Sequence, residues 1–140
     1  MATFTSQIFE TLTLNGDNVG SSVTNTITGI NYVDNRILSV PTGSVTTLFS
    51  MDSVPGAGTF VTSSIKYIRV TNNSTVAPIK LIVSSSTEAM SYLISTGSSY
   101  MMSTSKMTGS TSGLVFDDVK SVKVEPSGSA ASIEYYIVTT

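Results

Sequence analysis

Apolar and polar residues alternate with a period of two along most of the chain. Ile8, Glu10, Leu12 and Leu14 share one parity and Phe9, Thr11 and Thr13 the other, before "NGDNVG" closes the run. Asn15-Gly16 is a strong turn pair because both residues tolerate positive φ. Alternation resumes from Val23 to Val40, with Asp34-Asn35 read as a turn or bulge inside it and Pro41-Thr42-Gly43 as its end. Val45 to Phe49 predicts a short strand. "MDSVPGAGTF" (51–60) predicts a loop, because Pro55, Gly56 and Gly58 break regular structure.

In "IKYIRVTNNSTVAPIKLIV" (65–83) Ile68 and Val70 take one face and Tyr67 and Arg69 the other; Ile79, Leu81 and Val83 then oppose Lys80 and Ile82. Period two with one apolar parity predicts half-buried antiparallel strands, here read as strand–turn–strand. Met90–Ile94 and Ser98–Met102 flank "STG", read as a short hairpin loop in which Gly97 supplies the unusual φ. "STSKMTGSTSG" (103–113) predicts a long polar loop. Val122 and Val124 point inward from Val119–Glu125, Pro126-Ser127-Gly128 predicts a turn, and in the last strand Ile133, Tyr135 and Ile137 oppose Glu134, Tyr136 and Val138. No apolar spacing of three and four is sustained, and β-branched residues dominate, so essentially no helix is expected. Eight to ten short strands predict an all-β antiparallel sandwich or barrel of one domain. A meander and a Greek-key jelly roll give the same periodicity, so the pattern alone leaves both open.

Composition removes several chemistries. The chain has 140 residues and neither cysteine nor histidine. Disulfides, thiolate metal sites and cysteine nucleophiles are therefore absent, together with the commonest general base. Charged residues are 11 % of the chain, against roughly 25 % in ordinary domains, while Ser and Thr make up about a third. The net charge of −2 and scattered cations argue against a nucleic-acid partner. "MATFTSQIFETLTL" lacks the basic and apolar regions of a secretory signal, and no apolar run approaches the ~20 residues of a spanning helix, so neither classical export nor membrane insertion is expected. No cofactor or metal is expected.

The adjacent carboxylates Asp117 and Asp118 invite a calcium or acid–base reading. Calcium takes six or more oxygens, which no loop here supplies, and a solvated acidic turn is the simpler account. There is no G-x-S-x-G elbow, P-loop or dinucleotide fingerprint. Two overlapping N-x-[ST] sequons at Asn72-Asn73-Ser74-Thr75 read as turn residues in the absence of a secretion signal. Lys66, Arg69 and Lys80 are read as a cross-strand cluster of solubilising charge. The most unusual apolar group is Tyr100, Met101 and Met102 with Met107, matched near the C-terminus by Tyr135 and Tyr136. Met and Tyr are enriched at contact surfaces, and adjacent residues of a strand point to opposite faces. These six are the candidate protein-interface residues. A charge-poor, hydroxyl-rich surface suits a subunit covered by neighbours, because covering a hydrogen-bonded hydroxyl costs little and desolvating an unpaired charge costs several kcal/mol.

The succession "NTITGINYVDNRILSVPTGSVTTLFSM", "IKYIRVTNNSTVAPIKLIV", "MSYLISTGSSYMM" and "FDDVKSVKVEPSGSAASIEYYIV" resembles small virion proteins of tailed bacteriophages. The likeness lies in the order of strand patterns over residues 23–138. It implies a jelly-roll-like sandwich over 23–140, preceded by an N-terminal strand or arm over 1–22. It implies a capsid decoration or cement protein on the outer surface of the virion, often a homotrimer, which bridges neighbouring major capsid protein subunits and has no catalytic residues. Two other readings remain open at this point: a receptor- or glycan-binding tail-fibre or spike module, and a hydrolase using two carboxylates.

Overall fold

The structure, a computed structural model, describes residues 1–52, 59–61, 65–103, 106–108 and 115–140; at 52, 60–61, 106–108 and 115–118 it describes the backbone alone. The described residues are all-β. The chain divides into two compact units, Met1–Ile30 and Asn31–Thr140.

The first unit is a β-ribbon. Strands β1 (Thr3–Phe9), β2 (Thr13–Leu14), β3 (Asp17–Asn18) and β4 (Ser22–Thr28) form two antiparallel pairs, β1 with β4 and β2 with β3. Both pairs keep one register, from Thr3 opposite Thr28 to Leu14 opposite Asp17. Between them Glu10 N–H donates to Ser21 O and Val19 N–H to Leu12 O in that same register. The four strands are therefore one hairpin, about 40 Å long at the usual rise per residue. Its two-residue turn is Asn15-Gly16, with φ +53° and +91°, the double positive φ that matches strand twist in tight hairpins. The ribbon begins earlier than the apolar pattern predicts. Thr3–Gln7 is drawn into a strand by the β-branched partners Thr24, Thr26 and Thr28. The unit ends after Ile30, not after residue 22, because Ser22–Thr28 is the return strand of the hairpin.

The second unit contains β5 (Tyr32–Val40), β6 (Thr46–Asp52), β7 (Thr59–Val61), β8 (Ile65–Asn72), β9 (Ile79–Ser84), β10 (Ala89–Ile94), β11 (Ser99–Met102), β12 (Lys106–Thr108), β13 (Val115–Asp118), β14 (Ser121–Pro126) and β15 (Ala131–Thr139). Two sheets, ordered β11-β8-β15-β5 and β10-β9-β14-β6-β7, pack face to face. Counting β5, β6, β8, β9, β10, β11, β14 and β15 as strands one to eight, the sheets run 6-3-8-1 and 5-4-7-2. That is the order of two interleaved Greek keys in a jelly roll, and it excludes the meander. β7 adds a parallel edge to β6, and β12, inside the segment 103–113 expected to be loop, pairs with β13.

The core lies between the sheets. Ile68, Val70, Ile133, Tyr135, Ile137 and Val40 on one side meet Ile79, Leu81, Val83, Val122, Val124 and Phe49 on the other. All of these are buried. In β9, β14 and β15 every second residue points here, so their alternation in the sequence is the core itself.

Three local expectations change. Asp34-Asn35 is not a turn; it lies inside β5, and the break falls at Gly29 (φ +74°), beyond which β5 pairs with β15 along its whole length. The β8–β9 and β10–β11 connections are not hairpins, since each crosses from one sheet to the other. The buried Asn72 holds both crossings: its Nδ2 donates to Ala77 O (2.8 Å) and Ile94 O (3.2 Å), and its Oδ1 accepts from Ser74 N–H (3.0 Å). Ser74 Oγ then accepts from Val76 and Ala77 N–H. A sequon asparagine this enclosed is a folding device. Consequently Lys80 stands on the opposite sheet from Lys66 and Arg69, so the three do not cluster; Lys80 faces Glu125 at 3.8 Å. Pro55, Gly56, Gly58 and most of 103–113 lie outside the described residues.

Candidate functional site

Strand parity separates the six candidate residues. In β11 and β15, Tyr100, Met102 and Tyr135 point into the sandwich, while Met101 and Tyr136 point outward from the same sheet. The side chain of Met107, like those of Asp117 and Asp118, lies outside the described residues; its backbone sits opposite Phe116 in β12.

The inward set builds core. Tyr100 on β11 packs against Tyr92 on β10, with centroids 4.8 Å apart. Their hydroxyls reach Met102 Sδ and Met90 Sδ, each at 3.7 Å. β10 and β11 are the edge strands of the two sheets, so this Tyr/Met cluster closes one open side of the sandwich. Burial, with the charge and hydrogen bond of neighbouring Tyr92, pushes the Tyr100 phenol up to about 12. Tyr135 is buried, and its hydroxyl donates to Asp34 Oδ2 at 2.7 Å. Burial first, then the hydrogen bond to and charge of Asp34, raise the Tyr135 pKa. The Tyr135–Asp34 bond ties the edge strand β5 to β15, and Asp34 also accepts from Arg36 Nε of its own strand at 2.9 Å.

The outward set belongs to a continuous face of β11-β8-β15-β5. Register lays it out in rows: Tyr67, Val138 and Val33; then Met101, Arg69, Tyr136 and Asn35; then Ser99, Thr71, Glu134 and Ile37. Tyr67 and Tyr136 meet edge to face at 6.4 Å, and the Tyr67 hydroxyl donates to Met101 Sδ at 3.6 Å. Ile37 is 70 % exposed, Val33 49 % and Met101 44 %. The charges in these rows are Arg69 and Glu134, and they pair with each other. Arg69 also donates to Thr71 Oγ1 (2.9 Å), which shares a hydrogen bond with Ser99 Oγ (2.8 Å). Arg69, Glu134, Thr71 and Ser99 are thus joined to one another, with apolar and aromatic groups around them. A turn at Asp34-Asn35 would separate Val33 from Ile37, and only the unbroken β5 puts both on this face.

No protein-family model, curated protein or solved structure matches this chain. What the site does therefore rests on its own chemistry. On the other sheet an open hollow of about 460 Å³ is lined by Lys80, Ser91, Tyr92, Leu93, Glu125 and neighbouring loop residues. Its charged pair, Lys80 and Glu125, is mutually engaged and half exposed. Among the described residues no three acidic side chains gather as they would around a cation.

Proposed function

We propose that this protein is a non-enzymatic virion structural protein of the capsid-decoration type, seated on the outer shell and bridging neighbouring major capsid subunits. The observation that carries this reading is the face of β11-β8-β15-β5, where exposed Met101, Val33 and Ile37 surround an ion pair closed within the chain. A polar network already satisfied can be covered by protein without stranding a charge, and stranding one costs several kcal/mol. Apolar groups beside it gain from leaving water, at roughly 25 cal/mol per Å². The strand patterns that resemble phage virion proteins supply the class of partner. A decoration subunit acts by adding such contacts across the joints of a shell, so that opening the shell must also expose this face.

The test adds purified protein to undecorated shells. Co-sedimentation and a higher rupture temperature are expected, and Ile37→Asp should weaken binding about tenfold or more, a change of about 1.4 kcal/mol. The proposal fails if the unmodified protein neither sediments with shells nor shifts their rupture.

A further inference from the structure

The ribbon has two unlike faces. Thr3, Thr5, Gln7, Phe9, Thr11 and Thr13 face the viewer of one side, opposite Thr28, Thr26, Thr24, Ser22, Gly20 and Asn18. The other side is apolar in every second row. From base to tip its rows are Phe4–Ile27, Ser6–Asn25, Ile8–Val23, Glu10–Ser21, Leu12–Val19 and Leu14–Asp17. Ile8, Leu12, Leu14, Val19 and Val23 are between 40 and 59 % exposed, and Phe4 and Ile27 are half-buried. The face exposes on the order of 500 Å² of apolar surface, as much as the largest patch of a typical monomer. A two-stranded ribbon is marginal in water without a third layer.

We infer that this face pairs with the same face of a second copy, across a twofold axis that runs perpendicular to the strands at the Ile8–Val23 row. The order of rows carries the inference. With the axis there, Ile8 and Val23 meet their own counterparts, Leu12–Val19 covers Phe4–Ile27, and Glu10–Ser21 covers Ser6–Asn25. Apolar rows meet apolar rows, and the carboxylate lies against a hydroxyl and an amide that can donate to it. Glu10 Oε2 already accepts from Ser21 Oγ at 2.7 Å, which leaves its other oxygen for the second copy. The other registers fail on charge or on coverage. An axis through the Glu10–Ser21 row sets Glu10 against Glu10; an axis along the strands sets Glu10 over Ser21 but leaves both carboxylates in one row, about 5 Å apart, and residues 1–30 hold no Lys or Arg to neutralise the pair. An axis through Ser6–Asn25 leaves Leu12–Val19 in water. Two such faces together bury about 1,000 Å², the lower bound of a specific interface. Packed as aligned sheets they sit about 10 Å apart and within about 30° of parallel alignment.

This pairing needs no shell, so its test is separate from shell binding. Light scattering on the full chain is expected to give twice 14.7 kDa at high concentration. Val23→Glu, which places a carboxylate against its own image at the axis, should return single copies; Thr24→Glu, on the hydroxyl face, should leave the pair intact. In a chain without native cysteine, Val23→Cys should be joined copy to copy by a short thiol crosslinker, and Thr24→Cys should not. Single copies of the unmodified chain at every concentration, a particle of three copies, or equal crosslinking at 23 and 24 would overturn the inference.

Discussion

In the ribbon, Ile8, Leu12, Val19 and Val23 alternate with polar residues and stay in water; in the sandwich, Val122 and Val124 alternate with Ser121, Lys123 and Glu125 and are fully buried. The local pattern is the same. The difference lies in what covers the apolar parity. Nine strands in two sheets provide each other with a second layer, while two strands provide none. The sandwich is therefore held by burial, at roughly 1.5–3 kcal/mol for each large side chain. The ribbon is held by its Asn15-Gly16 turn, its ladder and its cross-strand threonine pairs, each contributing only some 0.2–1 kcal/mol. Alternation states which face is apolar and says nothing of what lies against it.

The largest expected effect separates the two regions directly. Phe49→Ala removes a fully buried ring opposite Val122 and should destabilise the sandwich by about 3–5 kcal/mol in urea unfolding followed by circular dichroism. Leu12→Ala, measured where single copies prevail, should shift the same transition by less than about 0.5 kcal/mol. Comparable losses at both positions would mean that Leu12 belongs to a core, and the contrast would be gone.

Next in size is Asn72→Leu. The leucine fills the space, but it leaves the Ala77 and Ile94 carbonyls and the Ser74 amide without their side-chain partner. A loss of about 3 kcal/mol is expected, since each enclosed unpaired group costs about 1–3 kcal/mol. The ribbon, which has no such crossing, should keep its protection against hydrogen exchange.

Asn72 also marks where the sequence stops being legible. The inward parity of Ile68, Val70, Tyr135 and Ile137, and the opposition of Met101 to Met102, are read from period two without any structure. The choice of sheet is not. "TNNSTVAP" has the composition of a hairpin turn, and only the amide of Asn72, reaching carbonyls five and 22 residues away, shows that the chain is changing layers. Long-range partners are equally silent: Arg69 finds Glu134 at a separation of 65 residues, and Tyr135 finds Asp34 at 101. The candidate Tyr and Met residues stand out in the sequence by type. Type alone does not distinguish Tyr136 on a surface from Tyr135 beneath it.

The smallest expected effect uses pH to address one region alone. Residues 1–30 contain no tyrosine, so phenol titration reports on the sandwich. The Tyr100 pKa stands at about 12 in the folded chain, against an ordinary value of 10.0. Between those values the folded state holds a proton that the unfolded state has released. The contribution of Tyr100 is therefore intact below pH 10 and falls away as pH rises toward about 12. Tyr135 shifts in the same direction, so the unmodified chain should lose stability over this interval by more than one route. Tyr100→Phe removes one of them. Relative to the unmodified chain, its unfolding midpoint should be nearly unchanged at neutral pH and should decline less steeply above pH 10. Parallel decline in the two chains would mean that the Tyr92–Tyr100 contact is open to water, and that the edge of the sandwich between β10 and β11 is as uncovered as the ribbon.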